Sequence, residues 1–209
     1  MKVASKIGWV LLGLFAITDG LGALRYSLPV VPFPAPLDNF LNHRYLLAVH
    51  AFAGGIALLA GPLQLLPAFR ERHWTYHRRM GWIYCCAVLL GTIAVLPLAW
   101  HAQTGRVASA GFFLLALAWF CETAMALNAI VRGDAVRHRR WMIRSYCLTA
   151  AAITLRIYLP LSFVLHLDYA VAYPAIAWLC WIPNLVFAEF YVRRAASHSR
   201  SLQGATASL

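Results

Sequence analysis

Apolar runs of about twenty residues, separated by short polar connections, set the rhythm of this chain. A helix of that length covers about 30 Å, the thickness of a bilayer's hydrocarbon core. Six such runs are read, at about 7–24, 46–68, 80–100, 110–131, 141–165 and 173–192. Little is left between them. Of 209 residues only 12% are charged, against about 25% in a soluble domain. The expected fold is all-α: an integral membrane bundle of six transmembrane helices in one domain, residues 1–194. Residues 195–209 read as a Ser/Ala-rich, disordered cytoplasmic tail.

The net charge of +11 raises the question of nucleic acid, and the placement of the charges answers it. Lys2 and Lys6 precede the first run. Arg70, Arg72, Arg78 and Arg79 separate the second from the third. Arg132, Arg137, Arg139, Arg140 and Arg144 lie between the fourth and fifth or just inside the fifth, and Arg193, Arg194 and Arg200 follow the last. All of these fall on one side of the membrane, and only Arg25, Arg44 and Arg106 on the other. By the positive-inside rule both termini are cytoplasmic, as six spans also require. The basic loops are suited to anionic lipid headgroups, and no nucleic acid partner is expected. Lys2 and Lys6 could also open a signal peptide. No clear cleavage site follows, and its removal would break the charge pattern, so an uncleaved first helix is expected. The five cysteines fall inside spans without CxxC spacing and read as small buried apolar residues, with no disulfide or zinc site.

A His-Arg-Arg segment opens two of the runs: His77-Arg78-Arg79 and His138-Arg139-Arg140. Both runs cross in the same direction, so the two histidines should share one face and one depth. A helix N-terminus disfavours the imidazolium and favours the neutral ring, the form that binds iron. Two such rings could supply both axial ligands of a b-type haem, with Arg78, Arg139 and Arg140 pairing with its propionates. Equally, a loop histidine beside arginines at an interface is an ordinary headgroup contact.

Further candidates lie deeper. His50 sits one turn inside the second run, beside Gly54 and Gly55, where a polar ring needs a partner. His101, at the outer end of the third run, is the nearest match for it. Glu122 and Arg156 are intramembrane ionisable groups at depths that allow a pair, with Tyr158 nearby. Together they read as a structural ion pair or as the seat of an anionic or quinone-like ligand on the His50 side, which Asp19 could join. Gln64 and Asn184 read as interhelical hydrogen-bonding groups, and Glu189 as a partner for a basic loop. No phosphate loop, Gly-x-Ser-x-Gly or His-Glu-x-x-His occurs. Carboxylates are too few for a two-metal hydrolase.

Several blocks together resemble a known family. They are Gly61-Pro62-Leu63-Gln64, His77-Arg78-Arg79-Met80-Gly81-Trp82-Ile83-Tyr84, His138-Arg139-Arg140-Trp141-Met142-Ile143-Arg144-Ser145-Tyr146, Thr154-Leu155-Arg156-Ile157-Tyr158 and Trp181-Ile182-Pro183-Asn184. The chain resembles the bacterial proteins of domain of unknown function 2306 over roughly residues 43–192. That resemblance implies a polytopic protein of the bacterial cytoplasmic membrane and no established activity. The histidine at a helix start is similar, more distantly, to cytochrome b561-like bundles, whose haem ligands lie on four central helices; the set here is incomplete. The leading reading is electron transfer. Haem b is held by His77 and His138, a quinone lies near His50 and Arg156, and His50 or Glu122 handles protons. The alternative is a transporter, or an accessory subunit of a larger membrane complex or homo-oligomer, built on Glu122 and Arg156 without a cofactor.

Overall fold

Helices account for every regular element that the computed structural model describes, which covers residues 13–18, 20–22 and 43–207. In chain order they are α1 (residues 13–18 and 20–22), α2 (Arg44–Leu65), α3 (Pro67–Arg72), α4 (Trp74–Trp100) and α5 (Arg106–Val131). There follow α6 (Ala135–Thr149), α7 (Ala151–Val164), α8 (Tyr169–Leu179) and α9 (Ile182–Ala207). Among the described residues, five stretches are long and apolar enough to cross a membrane: Arg44–Leu65, Trp74–Trp100, Arg106–Val131, Ala135–Val164 and Tyr169–Ala196. The expected first span, 7–24, falls partly outside the described residues. Large apolar side chains such as Ile93, Trp100 and Phe187 face outward, as a bundle bounded by lipid requires.

Local chemistry divides what the hydropathy pattern merges. The expected run 46–68 ends at Leu65, because Leu66 precedes Pro67 and is extended at ψ 117°. Pro67 then opens the short basic α3. The run 141–165 is two helices meeting at Ala150. There the Thr149 and Thr154 hydroxyls bond to the carbonyls of Ser145 (3.0 Å) and Ala150 (3.2 Å), a back-bonding that bends helices. The last run is also two helices. Pro183, at the second position of α9, has no N–H for the carbonyl of Leu179, so α8 has to end there. Residues 195–207, expected as a disordered tail, continue α9 as helix to Ala207. Their Ala and Gln are good helix formers, and no proline interrupts them.

The helices α2, α4, α5 and α6 form a closed ring in which each packs on the next and α6 returns to α2. In that ring α4 lies diagonally across from α6. α8 covers α5, α9 covers α6, and α7 leans on α8. Small residues allow the close approaches. A Cβ on Gly61 of α2 would stand 1.9 Å from the Tyr146 ring of α6, and one on Gly111 of α5 would stand 2.9 Å from the Ala177 carbonyl of α8.

The middle of the ring is polar and closed. The Tyr84 hydroxyl lies 2.8 Å from both Ser145 Oγ and Thr149 Oγ1. Trp119 Nε1 donates to Thr149 Oγ1 at 2.8 Å, and Thr123 Oγ1 lies 2.7 Å from Ser145 Oγ. All five side chains are buried.

Candidate functional site

The two His-Arg-Arg segments begin their helices alike. His77 is the fourth residue of α4 and His138 the fourth of α6. Seven residues further, about two turns, stand Tyr84 and Ser145, whose hydroxyls touch at 2.8 Å. That contact sets the two helices in register. The histidines therefore lie at equal depth, about 10 Å below it along each axis at 1.5 Å per residue. The expected geometry of two imidazoles at one level on parallel helices is thus present.

Between them lies a cavity of about 920 Å³, lined by His77, His138, Gln64, Tyr84, Tyr146 and apolar residues of α5, α6 and α9. This falls within the range of about 300–1,000 Å³ seen for pockets that bury small ligands. Arg70, Arg78, Arg139 and Arg140 complete its wall. The last residues of α2, Gln64 and Leu65, line its wall. It lies at the end of the bundle that carries α3, the Arg132–Asp134 turn and the start of α6.

The imidazoles differ in their partners. His138 Nδ1 lies 2.9 Å from the Ala126 carbonyl oxygen. Next to a carbonyl that nitrogen carries the proton; in the neutral ring Nε2 then has the lone pair, the arrangement that orients a metal-ligating histidine. His77 stacks on Trp74 at 5.7 Å. Its Nδ1 is buried without a hydrogen-bond partner among the described residues, and so is Nε2 of Gln64. Gln64, read above as an interhelical hydrogen-bonding group, thus leaves its nitrogen unused. Arg78 and Arg139 are exposed at the mouth, and Arg140 is half-buried. No cluster of three or more His, Cys, Asp or Glu suited to a metal occurs among the described residues. A two-histidine haem site needs none.

The other candidates do not join this cavity. His50 donates from Nδ1 to the Gly91 carbonyl at 3.0 Å and meets the edge of Trp119. His101 bonds the Pro97 carbonyl and stacks on His43 at 6.2 Å, so neither ring nitrogen contact links it to His50. Glu122 is half-buried, and its charged neighbours are Arg144 and Glu189; Oε2 has no hydrogen-bond partner among the described residues. Arg156 is on the exposed side of α7, within electrostatic reach of His50.

The Glu122–Arg156 pair allowed by sequence depth is therefore not formed. The contacts Thr123–Ser145 and Trp119–Thr149 fix the antiparallel register of α5 and α6. Extended, that register sets Arg156 opposite residues near 112, about 15 Å from Glu122, and α7 turns away toward α8. Tyr158 lies half-buried on the same helix. Asp19 falls outside the described residues. Arg144 instead binds Glu189, through Nε at 2.9 Å and Nη2 at 2.6 Å, and stacks on Trp141. Asn184 donates to Thr154 Oγ1 at 2.9 Å, tying α9 to α7 as expected of an interhelical group.

Sequence reasoning missed the Tyr84–Ser145–Thr149–Trp119–Thr123 cluster. Its one signal was there to read: Tyr84 and Ser145 stand at the same offset from the two repeated histidines.

Comparison with known proteins adds a family and no activity. A family described as "Predicted membrane protein (DUF2306)" matches residues 47–192, most of the chain. No curated protein and no solved structure matches.

Proposed function

This chain belongs to the DUF2306 family of predicted membrane proteins, and from that premise we propose that it binds b-type haem in the cavity between α4 and α6 and passes electrons within the membrane. The observation that carries the reading is the pair of imidazoles at one depth on diagonal helices, both lining one cavity. His138, with Nδ1 bound to the Ala126 carbonyl, offers Nε2 to iron. His77 is the facing ligand. Arg78, Arg139 and Arg140 at the mouth take the two propionates.

The remainder of the scheme follows from the charge pattern. Six spans, with the first at 7–24, put both termini and the cavity on the cytoplasmic side of a bacterial inner membrane. A second cleft of about 530 Å³, with Arg137, Arg140, Arg144 and Arg193 against Asp134 and Glu189 in its wall, keeps a net positive charge suited to an anionic lipid headgroup. A quinone by His50 and Arg156 would be the electron partner, with His50 or Glu122 handling its protons and Tyr158 beside it.

Protein purified from haem-replete cells should show a Soret band. The band should disappear in His77→Ala or His138→Ala while the protein stays folded. A colourless, folded wild-type preparation sinks the haem reading and leaves a transporter or an accessory subunit as the function class.

A further inference from the structure

We propose that Gln64 is a ligand-binding residue. With His77 Nδ1 it forms a two-donor seat for an sp2 oxygen, a carboxylate or a quinone carbonyl, on an amphipathic ligand in the α4–α6 cavity. The inference deepens the reading of that cavity as the ligand site and does not require iron.

Gln64 is only 9% exposed and lines the cavity, and its Nε2 has no partner among the described residues. His77 Nδ1 is in the same condition. Both groups line the α4–α6 cavity. Gln64 Oε1 lies 3.9 Å from where a Cβ would stand on Gly81. Gly81 is one turn beyond His77 on the same face of α4, and groups so spaced are neighbours. The missing side chain at Gly81 leaves room above the amide for a ligand atom.

An unpartnered buried amide is destabilising, whereas an apolar side chain of the same shape is not. The rest of the wall defines the ligand. Leu127, Ile130, Met142 and Ile143 offer an apolar slot for a ring or chain, and Arg70 and Arg78 offer charge at the rim. The seat itself is neutral. It reads lone pairs, and the arginines favour a carboxylate over a carbonyl.

The test uses the full chain in detergent, stripped of bound lipid and haem. Two probes are titrated into wild type and Gln64→Leu: oleate, for a carboxylate, and decyl-benzoquinone, for a carbonyl. At least one should bind wild type saturably, and the one that binds names the source of the oxygen. Gln64→Leu should weaken that probe about tenfold, the worth of one hydrogen bond. It should also raise the melting temperature of the stripped protein, because the orphaned amide is gone. Gln64→Met serves if the leucine variant does not fold. Failure of both probes to bind wild type overturns the proposal. So does a variant that binds as tightly as wild type, or one whose stripped form melts lower, which would make the amide structural. A colourless protein that binds a probe retires the iron and keeps the seat. A haem-loaded protein indifferent to Gln64→Leu does the reverse.

Discussion

Two polar regions share the axis of this bundle, about two turns apart, and they are built in opposite ways. In the middle, five donor protons (the hydroxyls of Tyr84, Thr123, Ser145 and Thr149, and Trp119 Nε1) face six short contacts, two of them to backbone carbonyls, so one proton is shared. No proton there is left over. At the basic end, Gln64 Nε2 and His77 Nδ1 are buried with no hydrogen-bond partner among the described residues. Both regions draw on α4 and α6, with α5 completing the middle and α2 the basic end. The difference lies in saturation, not in polarity. A polar cluster that has satisfied itself can only fix how helices pack. One that has not still has bonding capacity to offer a ligand.

The sharpest way to break the comparison is at the joint between the regions. The Tyr146 ring lies over Gly61, and its hydroxyl donates to the Leu58 carbonyl at 3.3 Å. Tyr146 also walls the cavity. Gly61→Leu has no room beside that ring and should cost about 3 kcal/mol or more. It should appear as a large fall in melting temperature in detergent, or as loss of folded protein. A variant that melts like wild type would show that the α2–α6 approach does not hold the two regions in place.

The middle region comes next. Ser145→Ala removes the group that links Tyr84 to Thr123. The expected cost is about 1–2 kcal/mol, toward the upper end for a membrane hydrogen bond because partners are left unpaired. Ligand affinity at the basic end should not change. Gln64→Leu, about one turn away, should do the opposite on both counts: higher stability and weaker binding. If the two substitutions shifted stability in the same direction, saturation would not be what distinguishes the regions.

Much of this was legible in the sequence, because hydropathy and charge act over whole helices. The run lengths anticipated the five apolar stretches that are described, and the two His-Arg-Arg segments placed His77 and His138 at one depth. What was not legible depends on register and direction. The depth of Arg156 was counted from the end of a run, without the α5–α6 register; that register sets Arg156 opposite residues near 112 and leaves Glu122 near Arg144. Gln64 looked like any interhelical amide, since a missing partner is a fact about neighbours that no single sequence carries. Tyr84 and Ser145 looked like one aromatic and one small residue, because a hydrogen bond between residues 61 positions apart has no local trace.

The smallest effect tests whether having a partner is sufficient without burial. Glu189 holds two arginines: Arg144, whose side chain is 16% exposed, and Arg193, which is 79% exposed. The carboxylate itself is 36% exposed, so water screens both pairs. Arg144→Gln should cost about 1 kcal/mol, because its two bonds to Glu189 and its stacking on Trp141 are partly sheltered. Arg193→Gln should cost less than about 0.5 kcal/mol, since an exposed i,i+4 pair contributes little. Added salt should widen the gap by weakening whatever the outer pair contributes. Equal losses for the two arginines would mean that pairing alone sets the strength of a polar contact here. Partner count would then separate the closed middle from the open cavity without any help from burial. The expected inequality says that burial turns a satisfied contact into a structural one, and an unsatisfied one into a site.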